Sequence, residues 1–229
     1  MELLFLDSAS RDDVQSAADS GIVTGVTTNP AIIQQGSPDA DPIDHLVSLL
    51  DLFIRGPVFF QIHANDRTSA ETLIEQTFVQ AGSSVDRLVL KLPAQPWWFA
   101  LGADLVRAGQ KVAFTAVYQP GQVVAAVQAG ASYVIPYVDR AQRLRPLQTN
   151  LLGNLRAVAG DHVCVLAASI KTPEQAVMAL TSGAHAITAS WALLRELMVD
   201  DLTDAAIDQF HSQVPKSSKI SATISTENL

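Results

Sequence analysis

The stretch Leu88-Val89-Leu90-Lys91-Leu92-Pro93 predicts a short buried β-strand, because a run of leucine and valine ends at a proline that cannot continue a ladder. One lysine interrupts the run. An ammonium in such a strand has to be paired, lose its proton, or lie where the strand opens into a cavity. Two interpretations fit the hexapeptide. Lys91 is either a Schiff-base lysine whose neutral amine attacks a carbonyl carbon, or a strand-end lysine whose head group reaches water.

The same pattern recurs along the chain as eight short apolar segments, each followed by a segment with helical spacing. The apolar segments are residues 3–7, 25–29, 58–62, 88–93, 111–116, 133–137, 163–168 and 186–189. This alternation predicts an α/β fold, a parallel (β/α)8 TIM barrel. The competing architecture is a doubly wound open sheet. Its commonest nucleotide fingerprint, G-x-G-x-x-G, is missing after the first segment.

We expect a single barrel domain over residues 1–212, ending in an extra helix around residues 204–210. Residues 213–229 form a polar tail, predicted to be disordered unless a partner orders it. Residues 34–42 contain Gly, Ser, Asp and two prolines, so a loop is expected there, and it is a candidate lid over any site.

Composition bounds the classes of function. Hydrophobic residues make up 48% of the 229 positions and charged residues 17%, which is typical of a well-buried globular protein. A net charge of −8 argues against nucleic acid and anionic membrane partners. One cysteine, Cys164, cannot form an internal disulfide, and no signal peptide or membrane span is apparent, so we expect a cytoplasmic protein. The histidines lack metal-ligand spacing, and no metal or other cofactor is expected.

Polar residues cluster where the predicted strands end, which is where the chemistry of such barrels takes place. Each of them alone would be a strand cap or a loop contact; together they would form a pocket. The set is Asp7, Thr27, Thr28, Asn29, Gln61, His63, Lys91, Thr115, Tyr137 and Ser169. Within it Lys91 is the one amine that comes from a strand exit, and Asp7 is a possible counter-charge.

These strand exits also spell out a family signature. The strings are Gly25-Val26-Thr27-Thr28-Asn29-Pro30, Val89-Leu90-Lys91-Leu92-Pro93, Thr115-Ala116-Val117-Tyr118, Pro136-Tyr137-Val138-Asp139-Arg140 and Ala167-Ala168-Ser169-Ile170-Lys171, preceded by Asp7 after an apolar strand. In this order and spacing, over residues 1–210, the chain resembles the transaldolase family. Within that family it looks most like the short fructose-6-phosphate aldolase branch.

The resemblance implies metal-independent class I aldol chemistry. Lys91 would attack the ketone of a dihydroxyacetone-type or sugar-phosphate donor, and loss of water would give an iminium that weakens the adjacent C–C bond. The other roles that the resemblance implies are donor binding by Asp7, Asn29, Thr27 and Thr28, placement of a proton-transferring water by Tyr137, Gln61 and Thr115, and phosphate binding by Arg140 and Ser169. It also implies a homo-oligomer, a pentamer or a decamer.

Gln61 separates two activities within the family. True transaldolases usually carry a glutamate at this strand exit, whereas Gln61 cannot titrate and leaves acid–base work to Tyr137. This favours an aldolase acting on a ketose phosphate such as fructose 6-phosphate. The alternative is a transaldolase that moves a dihydroxyacetone unit between sugar phosphates.

A third hypothesis is a barrel that binds sugar phosphates without turnover. It is motivated by departures from the family pattern at Gln95-Pro96-Trp97-Trp98 and at Asp139. The two tryptophans would narrow the pocket, form a subunit contact, or only pack at the start of a helix. Asp139 would weaken phosphate binding by the neighbouring Arg140. His63, two residues beyond Gln61, is either an extra titratable group at the rim or a structural histidine.

Overall fold

The strands pair in sequence order, all parallel, and β8 closes the barrel on β1 in the computed structural model, which describes residues 3–213. The strands are β1 (Leu4–Asp7), β2 (Gly25–Thr27), β3 (Val58–Gln61), β4 (Leu88–Pro93), β5 (Lys111–Val117), β6 (Tyr133–Pro136), β7 (Cys164–Ala167) and β8 (Ala186–Ala189). The prediction of a single (β/α)8 barrel is confirmed.

Helices follow the strands and form the outer layer, and a 3₁₀ turn (Gly82–Arg87) leads into β4. The helices are α1 (Arg11–Ser20), α2 (Pro30–Gly36), α3 (Pro42–Leu52), α4 (Arg67–Ala81), α5 (Pro96–Arg107), α6 (Pro120–Gln128), α7 (Val138–Leu144), α8 (Leu151–Ala159), α9 (Pro173–Thr181), α10 (Trp191–Glu196) and α11 (Asp201–Gln213).

Local sequence signals set many of the helix ends. The Ser10 side chain accepts a hydrogen bond from the Asp13 N–H at the start of α1, and Gly21 ends that helix in the left-handed conformation at φ 69°. Thr172 caps α9 in the same way, with Pro173 in the first turn, where its missing N–H costs nothing. These caps end or begin α1 and α9 at defined residues next to the strands.

Period-two alternation decides which side chains fill the barrel. Phe5, Phe59 and Tyr133 meet inside it edge to face, with ring centroids 5.8 Å apart for Phe5 and Phe59 and 4.9 Å apart for Phe59 and Tyr133. Gly25 makes room for this cluster, because a Cβ there would lie 2.9 Å from the Phe5 ring and 2.8 Å from the Pro57 carbonyl oxygen. The interior is thus plugged by apolar groups, and the inward-facing residues two positions later lie at the C-terminal mouth.

Two helices were missed in the sequence. Helix α2 occupies the first part of the predicted loop, so the loop prediction is wrong for residues 34–36 and only residues 37–41 remain between α2 and α3. Pro30 was interpreted as a strand stop, but proline also fits the first turn of a helix, and it serves both purposes here. Helix α7 lies in the basic segment after β6, where no helix was expected.

The C-terminal helix is longer than predicted. Helix α11 spans Asp201–Gln213 rather than residues 204–210, and it contains no buried residue. It runs through the predicted boundary between residues 212 and 213. The predicted polar tail beyond it lies outside the described residues.

Candidate active site

The inward-facing polar residues surround a cavity of about 500 Å³ at the C-terminal mouth of the barrel. It joins side chains from six strands and from the loops that follow them. The lining residues are Asp7, Thr27, Asn29, Pro30, Ala31, Ile32, Gln61, Lys91, Ile135, Tyr137, Arg140, Ala168, Ser169, Lys171 and Thr188.

Lys91 lies at the base of this cavity and is 3% exposed. Its Nζ donates a hydrogen bond of 2.6 Å to the Thr28 carbonyl oxygen. Burial lowers the pKa of Lys91 from 10.5 to about 8, and the negative charge of Asp7 opposes part of that shift. At pH 7 a pKa of about 8 leaves roughly 10% of the amine neutral, against roughly 0.03% for an ordinary lysine. Lys91 is therefore a buried lysine whose neutral amine is more populated than usual, rather than a strand-end lysine whose head group reaches water.

Asp7 is the carboxylate of the cavity, and it accepts a 2.8 Å hydrogen bond from the Thr27 hydroxyl. Burial raises the pKa of Asp7, while Lys91, the Thr27 hydroxyl and Lys171 act in the opposite direction, in decreasing order. Burial thus disfavours the charged form of both Asp7 and Lys91, and each charge partly stabilises the other.

Tyr137 lines the cavity and accepts a 3.1 Å hydrogen bond from the Thr115 hydroxyl, whereas Thr115 is buried behind it and is not among the lining residues. Burial raises the pKa of Tyr137, so its phenol keeps its proton at neutral pH. The strand carrying Thr115 breaks register directly after it, and Ala116 adopts φ 59°. Bulges of this kind re-aim side chains beside active sites.

Gln61 faces the same space from β3. Its side-chain oxygen is buried and has no hydrogen-bond partner among the described residues. Such a buried acceptor costs about 1–3 kcal/mol unless a partner satisfies it. A water or a substrate hydroxyl at this point would supply the missing donor.

Positive charge collects on one side of the cavity. The Arg140 guanidinium lies 5.2 Å from the centroid of the Tyr137 ring, and Lys171 approaches from the loop after β7. Ser169 takes the left-handed conformation at φ 61°, and its carbonyl accepts the Asp139 N–H at 3.2 Å. This contact ties the end of β7 to the start of α7 and so holds Ser169 beside Arg140.

The expected effect of Asp139 on Arg140 stays a prediction, and the structure shows that Asp139 is itself paired. The Asp139 carboxylate accepts a 2.9 Å hydrogen bond from Arg143, four residues on in α7, and this pair lowers the pKa of Asp139. Arg143 is thus the main partner of Asp139, and the carboxylate also interacts electrostatically with Lys171.

Two predicted site residues contribute differently from what was expected. The Thr28 side chain does not line the cavity: its hydroxyl donates to the Phe59 carbonyl at 2.7 Å, and only its own carbonyl reaches Lys91. Asn29 does line the cavity, but its side-chain oxygen caps α2 by accepting the Ile32 N–H at 3.0 Å. Its amide nitrogen is the group left to meet a ligand.

Three further candidates lie away from the cavity. His63 is exposed and does not line it. Trp97 and Trp98 stack with their ring centroids 3.9 Å apart, and Trp98, 2% exposed, is part of the core. Of the interpretations offered for the tryptophans, packing at the start of α5 is the one that the structure supports.

Sequence reasoning missed Lys171 and Thr188 as cavity residues. Lys171 is the last residue of the string Ala167-Ala168-Ser169-Ile170-Lys171. It lies four residues beyond the end of β7, and only residues at the strand ends were expected in the pocket. Thr188 lies inside an apolar strand rather than at its end. The signal that would have found it is period two, since Ala186 faces the barrel interior and Thr188 is two residues on.

Within residues 3–213, no group of three or more His, Cys, Asp or Glu side chains is placed to hold a metal ion. Over the same residues no helix has the length and apolar character needed to cross a membrane.

A buried lysine with a lowered pKa, facing a carboxylate and a protonated tyrosine at the mouth of a (β/α)8 barrel, defines the class of Schiff-base aldolases and transaldolases. Comparison with known proteins agrees. The family model "Transaldolase/Fructose-6-phosphate aldolase" matches residues 4–228, and the chain belongs to that family.

Its relatives carry the name "Probable transaldolase". One from Hydrogenobaculum sp. is 30% identical over 210 residues, covering 90% of this chain and 93% of that protein. Another from Desulfatibacillum aliphaticivorans is 29% identical over 219 residues, covering 94% and 99%. A third from Desulforamulus reducens is 27% identical over 212 residues, covering 91% and 94%. The chain is thus an enzyme of the aldolase and transaldolase class.

Proposed function

We propose that this enzyme is a class I aldolase that cleaves or forms a ketose phosphate such as fructose 6-phosphate through an imine on Lys91. The observation that carries the proposal is the buried Lys91 amine, whose pKa is lowered to about 8. The neutral amine attacks the C2 ketone, and loss of water gives the iminium. The electrons of the C3–C4 bond flow into the iminium as the C4 hydroxyl loses its proton, which releases the aldehyde and leaves an enamine. Protonation of the enamine carbon and hydrolysis then release dihydroxyacetone.

Asp7 and the Asn29 amide hold the donor hydroxyls, beside Thr27, in this mechanism. Asp7 also balances the positive charge of the iminium, since it is the carboxylate that lines the cavity together with Lys91. Tyr137, held by Thr115, orients the water that carries the proton to and from the C4 oxygen, with the free oxygen of Gln61 as its acceptor. Gln61 does not titrate, so the proton transfer depends on the Tyr137 hydroxyl.

Arg140, Lys171 and Ser169 bind the substrate phosphate. Two cations and a hydroxyl line one side of the cavity, and the guanidinium fork suits a phosphate. The Thr28 contribution is its carbonyl, which holds the lysine, rather than its side chain.

Borohydride trapping tests the proposal. Fructose 6-phosphate or dihydroxyacetone with borohydride should add the reduced donor to the peptide that contains Lys91. Lys91→Met should abolish the adduct, whereas Lys171→Met, which removes the other cavity lysine, should retain it. Absence of an adduct with every donor would rule out the imine mechanism.

Transfer between sugar phosphates is the second candidate, favoured by the name "Probable transaldolase" that the relatives carry. Both activities share the Lys91 imine and differ in what takes the enamine. With fructose 6-phosphate as donor, the proposed aldolase releases free dihydroxyacetone. If, after addition of erythrose 4-phosphate, sedoheptulose 7-phosphate forms faster than free dihydroxyacetone is released, the enzyme is instead a transaldolase.

The enzyme is further proposed to work as a homo-oligomer in the cytoplasm. Helix α11 contains no buried residue and presents Leu202, Ile207 and Phe210 at 80%, 42% and 63% exposure. Contact with a second copy would cover this apolar surface. The acidic balance and the single cysteine support a cytoplasmic location.

A further inference from the structure

Thr188 makes a contact that the proposed chemistry has not used. Its hydroxyl oxygen lies 2.6 Å from the Thr27 hydroxyl oxygen, and Thr27 in turn donates to Asp7 Oδ1 at 2.8 Å. The two threonines come from β2 and β8, the strands that flank β1 on either side. Both are 1% exposed, so these linked hydroxyls are buried in the wall of the cavity. The row of hydrogen bonds that they form ends on the carboxylate that faces Lys91.

The number of available hydrogens determines which oxygen donates and which accepts in this row of hydrogen bonds. Two hydroxyl oxygens 2.6 Å apart have a hydrogen between them, and each threonine has only one to give. When Asp7 is ionised, Thr27 gives its proton to the carboxylate, so Thr188 must be the donor to Thr27. Without the Thr188 donor, the Thr27 oxygen would accept no hydrogen bond from Thr188, and Thr27 would be a weaker donor to Asp7, with the Leu6 carbonyl as a second, more distant acceptor 3.4 Å from the Thr27 oxygen.

We propose that Thr188 is a positioning residue, which fixes the Thr27 hydroxyl as a donor to Asp7 and so orients the Asp7 carboxylate towards the Lys91 imine. This rests on the proposed function, because the carboxylate matters only where a positive iminium forms. A hydrogen bond that is itself supported by another donor is strengthened in a site of low dielectric. Loss of the Thr188 hydroxyl therefore weakens the stabilisation of ionised Asp7.

Other groups also act on Asp7 and have to be held constant. Lys91 from β4, Lys171 from the loop after β7 and Tyr137 after β6 interact with it electrostatically, and Glu196 of α10 lines a neighbouring space with it. None of them is changed by substitution at Thr188. An altered titration of Asp7 in a Thr188 variant therefore reports the hydroxyl chain.

Thr188→Val removes the hydroxyl and keeps the shape of the side chain. We expect kcat/KM for fructose 6-phosphate cleavage at pH 7 to fall about three- to tenfold, the range of one supporting hydrogen bond. The pKa of Asp7 should rise, because the charged carboxylate loses part of its hydrogen-bond support. Thr188→Ser should restore both quantities. Thr77→Val is the matched control, because Thr77 is fully buried and its hydroxyl bonds only within α4, to the Leu73 carbonyl.

A titration of the free enzyme separates this inference from the proposed function. Carboxyl ¹³C NMR, with the Asp7 signal assigned through Asp7→Asn, should show Asp7 titrating at higher pH in Thr188→Val than in the wild type and in Thr188→Ser. This readout needs no turnover, so it tests the hydroxyl chain even if no imine is trapped. Unchanged titration and kcat/KM in Thr188→Val, or an equal loss in Thr77→Val, would overturn the proposal. Thr188→Ala carries the same test if the valine variant does not fold.

Discussion

Lys91 gains its reactivity from desolvation. Strand β4 is buried along almost its whole length, the amine donates a hydrogen bond to the Thr28 carbonyl, and Asp7 is the negative charge that acts on it. Burial outweighs the attraction of Asp7, and the net effect is a lowered pKa. The lowered pKa of Lys91 should therefore affect both the pH dependence of imine formation and the free energy of unfolding.

The rate of imine formation should rise with pH and level off above a pKa of about 8. The neutral amine is the reactive form, and its population increases until pH exceeds that value. Single-turnover trapping with borohydride from pH 6 to 10 measures the profile. Lys171→Met should keep the same midpoint, since Lys171 is not among the causes that set it. A rate that still climbs near pH 10 would show an ordinary, unshifted lysine.

Lys91→Met should stabilise the folded protein at pH 7 by about 2 kcal/mol. The fall in pKa from 10.5 to about 8 corresponds to roughly 3 kcal/mol against the buried ammonium, and loss of the Thr28 hydrogen bond returns roughly 1 kcal/mol. Between pH 8 and 10.5 the unfolded chain binds more protons at Lys91, so this group makes stability rise with pH. The advantage of the variant should therefore shrink over that window. Urea unfolding of both proteins at pH 7 and 10 measures this difference in the free energy of unfolding. A variant less stable than the wild type at pH 7 would contradict the prediction.

At the scale of elements, two short helices hold site residues in place. Each of them begins shortly after a strand ends. Asn29 caps α2 from inside the cavity, and α7 carries Arg140 past the end of β6. These were the helices that sequence patterns missed. Each has only seven residues, too few for a clear apolar period, and contact with the barrel rather than helical propensity keeps it in place.

Substitutions at Asn29 should separate its two roles. Asn29→Ala loses the cap of α2 and should cost about 1 kcal/mol of stability together with donor affinity. Asn29→Ser keeps a capping oxygen but not the amide nitrogen, so stability should be close to wild type while the donor KM rises. Thermal unfolding and steady-state kinetics measure the two effects. Asp66→Ala, which uncaps the remote α4, should lower stability alone; a normal KM in Asn29→Ser would remove Asn29 from donor binding.

At the scale of the whole molecule, α11 is an α-helix that contains no buried residue. Leu202 and Phe210 lie eight residues apart, which places both within one broad stripe of the helix surface, and are 80% and 63% exposed. A second copy that covers this stripe would explain why these residues are apolar.

The protein should therefore have a solution mass several times the 24.5 kDa of one chain, measured by light scattering after gel filtration. Replacing Leu202 and Phe210 together with serine should reduce that mass towards one chain. Val79→Ser removes an apolar residue, 76% exposed, on α4 and should leave the mass unchanged. A wild-type chain that is monomeric at micromolar concentration would contradict the proposal.

The sequence by itself determined the barrel, because eight apolar runs alternating with capped helices leave few other topologies. It also determined that Lys91 and most of the other cavity residues lie together, since the polar residues at the ends of parallel strands meet at the same mouth of the barrel. Tertiary structure alone decided which polar atoms are free. Closure of the barrel turned the Thr28 hydroxyl to Phe59, occupied the Asn29 oxygen, and brought Thr188 within 2.6 Å of Thr27 across 161 positions of sequence. Propensity and spacing describe a residue and its chain neighbours, whereas a hydrogen bond between distant strands depends on register, which only the closed sheet fixes.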